Sequence, residues 1–202
     1  MSYSVPSTSA HAEVEIKKSR FIAHAFPITT RTEALAHLTT LKNQYPDARH
    51  HCWAYQIGAP QQASAGMDDD GEPSGTAGKP ILSRIQYSGI SDVAIIVVRY
   101  FGGVKLGAGG LARAYGQAAG AVLDILPTHT KQHLTLCQLE GPYEAEHILR
   151  HWCQQTGATL QQFHYTATGI QAQLRVPEPL LTSLQTQIPL WHCTLHQVVE
   201  TA

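Results

Sequence analysis

The chain has 202 residues, 43% hydrophobic and 14% charged, with a formal net charge of −1. That composition describes a globular protein of one large or two small domains. It excludes the overall basic field that draws a chain to nucleic acid or to an anionic membrane. Twelve histidines stand beside 14 Lys and Arg, so net charge rises as pH falls through the histidine range. The opening MSYSVPSTSA lacks the basic-then-apolar pattern of a secretory signal. No apolar run approaches the ~20 residues of a membrane-spanning helix, so no membrane partner is expected. Cys52, Cys137, Cys153 and Cys193 form no CxxC pair, and reduced thiols in a cytoplasmic protein are expected.

Residues 1–10 are rich in Ser and Thr and read as loose. Val14 and Ile16 alternate with charge before Phe21 and Ile22, so residues 11–26 read as a strand interrupted near Lys17–Ser19. Thr29 or Thr30 caps a helix from about Arg31, with Glu33 in its first turn. Ala34, Leu35, Leu38 and Leu41 give that helix its apolar face, and Pro46 closes it. A strand is expected over 51–57. Residues 58–80 read as a long loop containing MDDDGEPSGTAGKP. Thr76 can start a helix that tolerates Pro80 near its beginning, and Gly89 ends it.

Residues 92–116, DVAIIVVRYFGGVKLGAGGLARAYG, organise the chain. The β-branched run Val93–Val98 reads as a strand buried on both faces. The Gly102–Gly103 and Gly109–Gly110 pairs follow, and Leu111, Ala114, Tyr115 and Ala118 then recur at helical spacing to about Leu126. Residues 127–130 read as a linker between domains 1–127 and 128–202. Beyond it the order is strand 134–139, helix 143–155, strand 159–167, strand 170–176, helix 179–187 and strand 194–199, a ferredoxin-like βαββαβ pattern. The fold class expected is α+β in two domains.

Glycines let the backbone turn and let a ligand approach the amides, and a helix N-terminus favours negative charge. With Arg99, Lys105 and Arg113 beside Gly102, Gly103, Gly109 and Gly110, the loop reads as an anion site or as a tight connection serving packing. It matches neither GxGxxG nor GxxxxGK[ST]. Ser74 and Thr76 can donate to an anion or make local turn bonds. Arg49, His50 and His51 open a strand, where neighbouring side chains face opposite ways. One histidine can face a cleft, and His51 is the candidate acid or base. Asp70 and Glu72, in a cluster with Asp68 and Asp69, can hold Mg²⁺. Alternatively, Lys79 and Arg99 pair with those acids in a structural network. Tyr100 and Phe101 can stack on bases or join the core. His147 and His151 lie one helical turn apart without an evident third metal ligand.

Residues 68–80, DDDGEPSGTAGKP, and the block VRYFGGVKLG through Gly110–Leu111 and Ala114–Tyr115 carry a resemblance, with KSRF at 18–21 and ARHHC at 48–52. Together they resemble the IMPACT family in its bacterial YigZ-like branch, across nearly all of residues 13–127. The resemblance implies a first domain with the fold of the second domain of a small-subunit ribosomal protein. It implies a ferredoxin-like second domain similar to the last domain of elongation factor G. Eukaryotic relatives are translation regulators that compete for an activator of the kinase modifying initiation factor two, through an extra N-terminal domain not seen here. What carries over is a theme, translation and RNA-linked binding. The favoured expectation is a non-catalytic protein holding RNA or a ribosome-associated factor. The alternatives are a Mg²⁺-dependent enzyme on a phosphorylated small molecule and a protein-interaction module.

Overall fold

The structure, a computed structural model, describes residues 2–132 and 134–198. Its contacts divide the chain into two compact units, Ser2–Lys131 and a second running from Gln132.

The first unit contains β1 (Tyr3–Pro6), β2 (Ala10–Ile16), β3 (Ser19–Pro27), α1 (Arg31–Gln44), β4 (His50–Ile57) and β5 (Ser64–Asp68). It continues through α2 (Gly78–Ser88), β6 (Val93–Tyr100), α3 (Ala108–Asp124) and β7 (Thr128–Lys131). Five strands form an antiparallel sheet in the order β2-β3-β6-β4-β5. The central strand, β6, is apolar at every position from Val93 to Val98 because both of its faces are covered. Val93, Ile95 and Val97 pack with Ile81 and Ile85 of α2 and with Leu111, Tyr115 and Ala118 of α3. Ala94 faces the other side, against Ala34 of α1 and Tyr55. Thr30 caps α1, its hydroxyl accepting from the Glu33 N–H at 3.2 Å. The Glu33 carboxylate accepts in return from the Thr29 N–H at 2.6 Å.

Three segments, Tyr3–Pro6, Thr128–Lys131 and Ser64–Asp68, differ from the sequence reading. Within the opening stretch read as loose, β1 pairs antiparallel with β7, so the stretch read as a linker is a strand as well. Asp92 locks this ribbon to the main sheet. Its carboxylate accepts from the Tyr3 hydroxyl at 3.1 Å, from Lys131 Nζ at 2.5 Å and from the Gly58 N–H at 2.7 Å. Within the presumed long loop, β5 pairs with β4 despite its glycine and polar residues, since ladder bonds rather than side-chain burial hold this edge strand. The interruption near Lys17 is a two-residue hairpin loop, Lys17 and Lys18 having φ of 48° and 65°.

The second unit contains β8 (Leu134–Gly141), α4 (Ala145–Thr156), β9 (Thr159–Tyr165), β10 (Ile170–Pro177), α5 (Leu181–Gln187) and β11 (Thr194–Val198). The antiparallel sheet order β11-β8-β10-β9 is the ferredoxin-like arrangement. The last residue of the final strand expected from sequence, Val199, lies outside the described residues. Cys137, Leu139, Leu149, Leu174 and Leu184 form the core between the helices and one sheet face. His147 and His151 are exposed on α4, and among the described residues no cluster of three His, Cys, Asp or Glu side chains is placed to hold a metal. The four cysteines are free thiols. No described helix is long and apolar enough to cross a membrane.

Candidate functional site

In the first unit, register puts Phe21, Arg99 and His50 side by side across β3, β6 and β4. These positions continue the sheet face that α2 and α3 cover. Where the two helices stop covering it, a cavity of about 620 Å³ opens, lined among others by Arg49, His50, Arg99, Phe101, Lys105 and Leu111.

Arg99 forms the floor. It is 7% exposed, and its Nη1 donates to Glu72 Oε1 at 2.5 Å. The guanidinium lies between the Phe21 ring at 5.6 Å and the Phe101 ring at 5.7 Å. Its Nε is buried without a partner. Glu72 Oε1 also accepts from the Tyr115 hydroxyl at 2.8 Å. The Cys52 thiol reaches the Tyr115 oxygen at 3.3 Å and the Asp69 carbonyl at 3.0 Å. Burial, reinforced by each other and by Glu72, pushes the Tyr115 hydroxyl pKa far up. Burial pushes the Cys52 thiol up to about 12, so it is not a nucleophile at neutral pH. This chain of groups ties β4, β6, α3 and the acidic loop together beneath the cavity.

The acidic loop is built inward. Asp69 Oδ1 accepts from the N–H groups of Ala77 and Gly78 at 2.9 and 2.8 Å, and Oδ2 accepts from the Gly75 N–H at 2.7 Å. Burial works to raise the Asp69 pKa, but these bonds outweigh it and hold the carboxyl below its usual range. Asp69 thus caps α2 in place of Ala77, which has no capping side chain. Asp70 accepts from Lys42 Nζ at 2.9 Å and from the His51 N–H at 2.7 Å. With Asp70 held on that side and Glu72 bonded to Arg99 and Tyr115, the two do not form a shared Mg²⁺ donor set. Thr76 donates its hydroxyl to the Pro73 carbonyl at 2.6 Å, while Ser74 and Lys79 are exposed.

The end of α3 is different. Its N-cap, Gly107, has φ of 69° and offers no side-chain bond, and among the described residues no side chain takes the place that Asp69 has at α2 for the first-turn amides, which include Gly109 and Gly110. Gly107, Ala108 and Leu111 line the cavity. Exposed Lys105 and Arg49 flank it, His50 is half-buried at its wall, and Phe101 is 58% exposed over it. Tyr100 and Asp47 also line the cavity, the Tyr100 hydroxyl donating to the Asp47 carboxylate at 2.8 Å. Gly103 supplies a φ of 87°. Gly102 serves close approach: a Cβ there would lie 1.9 Å from the Lys18 carbonyl carbon, and its N–H donates to Ser19 Oγ at 3.1 Å.

The structure thus brings Arg49, His50, Arg99, Lys105, Gly107 and Glu72 to one cavity. It sends Arg113 to the outer side of α3. His51 is 4% exposed and turned to the α1 side, its Nδ1 3.9 Å from Asp70. Burial lowers its pKa more than Asp70 raises it. Sequence reasoning missed Phe21, Asp47, Cys52 and the hydroxyl of Tyr115. The even-numbered side of β4 carries His50 and Cys52, and that alternation was the available signal for Cys52.

This arrangement can hold an anion: a helix start without a side-chain cap, the exposed Arg49 and Lys105 and a wall histidine stand beside an exposed aromatic ring, with Asp47 bonded to Tyr100 and Glu72 bonded to Arg99 in the same lining. The profile of the Impact N-terminal domain matches residues 17–123. An IMPACT family member of Haemophilus influenzae is 38% identical over 175 residues, covering 86% of this chain and 82% of that one. The IMPACT family member YigZ of Escherichia coli is 42% identical over 143 residues, 70% of each chain. A solved structure described as a hypothetical protein superposes with a TM-score of 0.68 at 32% identity, covering 98% of both chains. The matched residues 17–123 span β3 to α3 and so include the whole cavity wall; the chain belongs to the IMPACT family.

Proposed function

We propose that the first unit binds a phosphate-bearing, single-stranded ligand, RNA in the setting of translation, and that the protein works in the cytoplasm as a binding protein. The observation that carries this reading is the convergence of Arg49, Lys105 and the uncapped start of α3 on one cavity beside Phe101. The amides and the two cations hold a phosphate. Phe101, with one face toward Arg99, gives its other face to a base. Arg99 acts as the floor that positions Phe101, because its charge is already spent on Glu72. The family's translation theme agrees with such a ligand.

The test is fluorescence binding of pooled single-stranded RNA across a salt series, with and without Mg²⁺. Affinity is expected to fall with salt, and Lys105→Ala and Arg49→Ala each to weaken it about tenfold. Phe101→Ala is expected to cost about 1–3 kcal/mol with little change in salt slope. Negligible binding, or variants equal to the parent protein, would overturn the reading. The cavity volume also suits a small phosphorylated molecule. In that second reading His50, not His51, is the group placed to exchange a proton with it.

A further inference from the structure

From Glu72 to Asp124 the chain carries Lys79, Arg84, Arg99, Lys105 and Arg113 against Glu72, Asp92 and Asp124. Asp92 is itself spent on Lys131, Tyr3 and the Gly58 amide. With Glu72 bound to Arg99, the cations left exposed on this stretch are Lys79, Arg84, Lys105 and Arg113. Arg99 and Lys105 belong to the cavity. Arg84 and Arg113 do not. They line a separate surface groove between the outer faces of α2 and α3, with Pro80, Tyr87, Ala112 and Gly116. Both arginines are exposed, and neither makes an ion pair among the described residues.

Two glycines of α3 leave room for Arg84: a Cβ at Gly116 or Gly120 would meet Arg84 Nε at 3.8 and 3.9 Å. Tyr87 is 88% exposed, more than any other large apolar or aromatic side chain among the described residues. It sits at the groove where burial in this chain has no use for it. The groove and the cavity draw on neighbouring residues of one helix: Ala108 and Leu111 of α3 line the cavity, and Ala112 and Arg113, on the helix's outer side, line the groove. From Ala108 to Gln117 the helix axis advances only about 13 Å, the reach of a few nucleotides.

We propose that the α2–α3 groove is a second phosphate-holding surface, over which a single-stranded nucleic acid continues after leaving the cavity. This rests on the reading of the cavity given above. Arg84 and Arg113 hold successive phosphates, and Tyr87 stacks on a base between or beside them. An acidic protein segment would satisfy the arginines as well. The exposed Tyr87 ring in the same groove as the two arginines, on the helix pair that also borders a cavity with its own exposed ring, favours nucleic acid. The proposal also gives Arg113 a role that its position outside the cavity otherwise denies it.

The experiment compares a long labelled oligouridylate with uridine monophosphate, titrated into the full chain and into the double variant Arg84→Gln, Arg113→Gln. Neither arginine is buried, so the variant should melt as the parent does. The expected result is an oligouridylate affinity lowered about tenfold, with the salt slope reduced by about one to two. Uridine monophosphate binding, a property of the cavity alone, should be unchanged. Tyr87→Ala should weaken the oligouridylate while leaving the salt slope as it was. If the double variant binds oligouridylate like the parent, the groove proposal is overturned and the cavity reading stands. If polyglutamate, and not oligouridylate, depends on the two arginines, the groove is a protein-docking surface and the proposal falls. If the parent chain binds neither nucleotide probe, the cavity reading and the proposal fall together.

Discussion

At the scale of single residues, the site depends on a buried ion pair. The Arg99 and Glu72 side chains are 8% and 4% exposed, so removing one partner leaves a charge out of water with nothing to answer it. Glu72→Gln is expected to cost about 3–5 kcal/mol in urea unfolding. Tyr115→Phe, which removes one hydrogen bond, should cost about 1 kcal/mol. A second residue-scale expectation concerns His24. Burial, with a smaller contribution from His11, holds its pKa down to about 4, against 6.5 for an ordinary histidine, and its Nε2 has no partner. Between those two values the unfolded chain takes up a proton that the folded chain refuses. Its contribution to stability is therefore complete above pH 6.5 and is lost as pH falls toward 4. The urea midpoint should fall over that interval, and His24→Phe should flatten the fall. A midpoint independent of pH there would show that His24 protonates as freely folded as unfolded.

At the scale of elements, the β2–β3 hairpin and the glycine loop lock together. Lys17 and Lys18 both occupy the left-handed region, which costs an ordinary residue about 1–2 kcal/mol. The two-residue loop favours Asn-Gly there. Lys17→Asn with Lys18→Gly should raise thermal stability by about 1 kcal/mol. Gly102→Ala should do the reverse, by about 2 kcal/mol or more, because its Cβ would run into the Lys18 carbonyl. The both-face burial of β6, the caps of α1 and the order of the second unit all follow from local pattern and were legible. The ribbon of β1 and β7 was not, since Tyr3–Pro6 and Thr128–Lys131 are short and far apart in sequence. The site was half legible. Arg99, Lys105 and the glycines stood out by composition. Which helix start is free was hidden, because the cap on α2 comes from Asp69, eight or nine residues before the amides it satisfies. Arg113 was placed with the loop by sequence proximity, although helical rotation turns it away from Leu111.

At the scale of the whole molecule, the contacts place the end of the first unit at Lys131, and β7 is part of what holds that unit closed. A fragment ending at Lys131 should fold and unfold cooperatively. One ending at Pro127 should be less stable by about 2 kcal/mol, because Asp92 loses Lys131 and β1 loses its partner. Equal melting of the two fragments would show that the ribbon is ornamental. Charge has a distribution at this scale too, with the exposed cations Lys79, Arg84, Lys105 and Arg113 on or beside α2 and α3 in a chain of net charge −1. The most direct test of the claim that this region binds a phosphate-bearing strand is amide NMR of the full chain, titrated with short single-stranded RNA. The largest shifts are expected at Gly107, Ala108, Gly109 and Gly110, at the start of α3, with smaller ones at Arg49 and Phe101. Shifts confined to the second unit, or none at RNA in large excess, would contradict it.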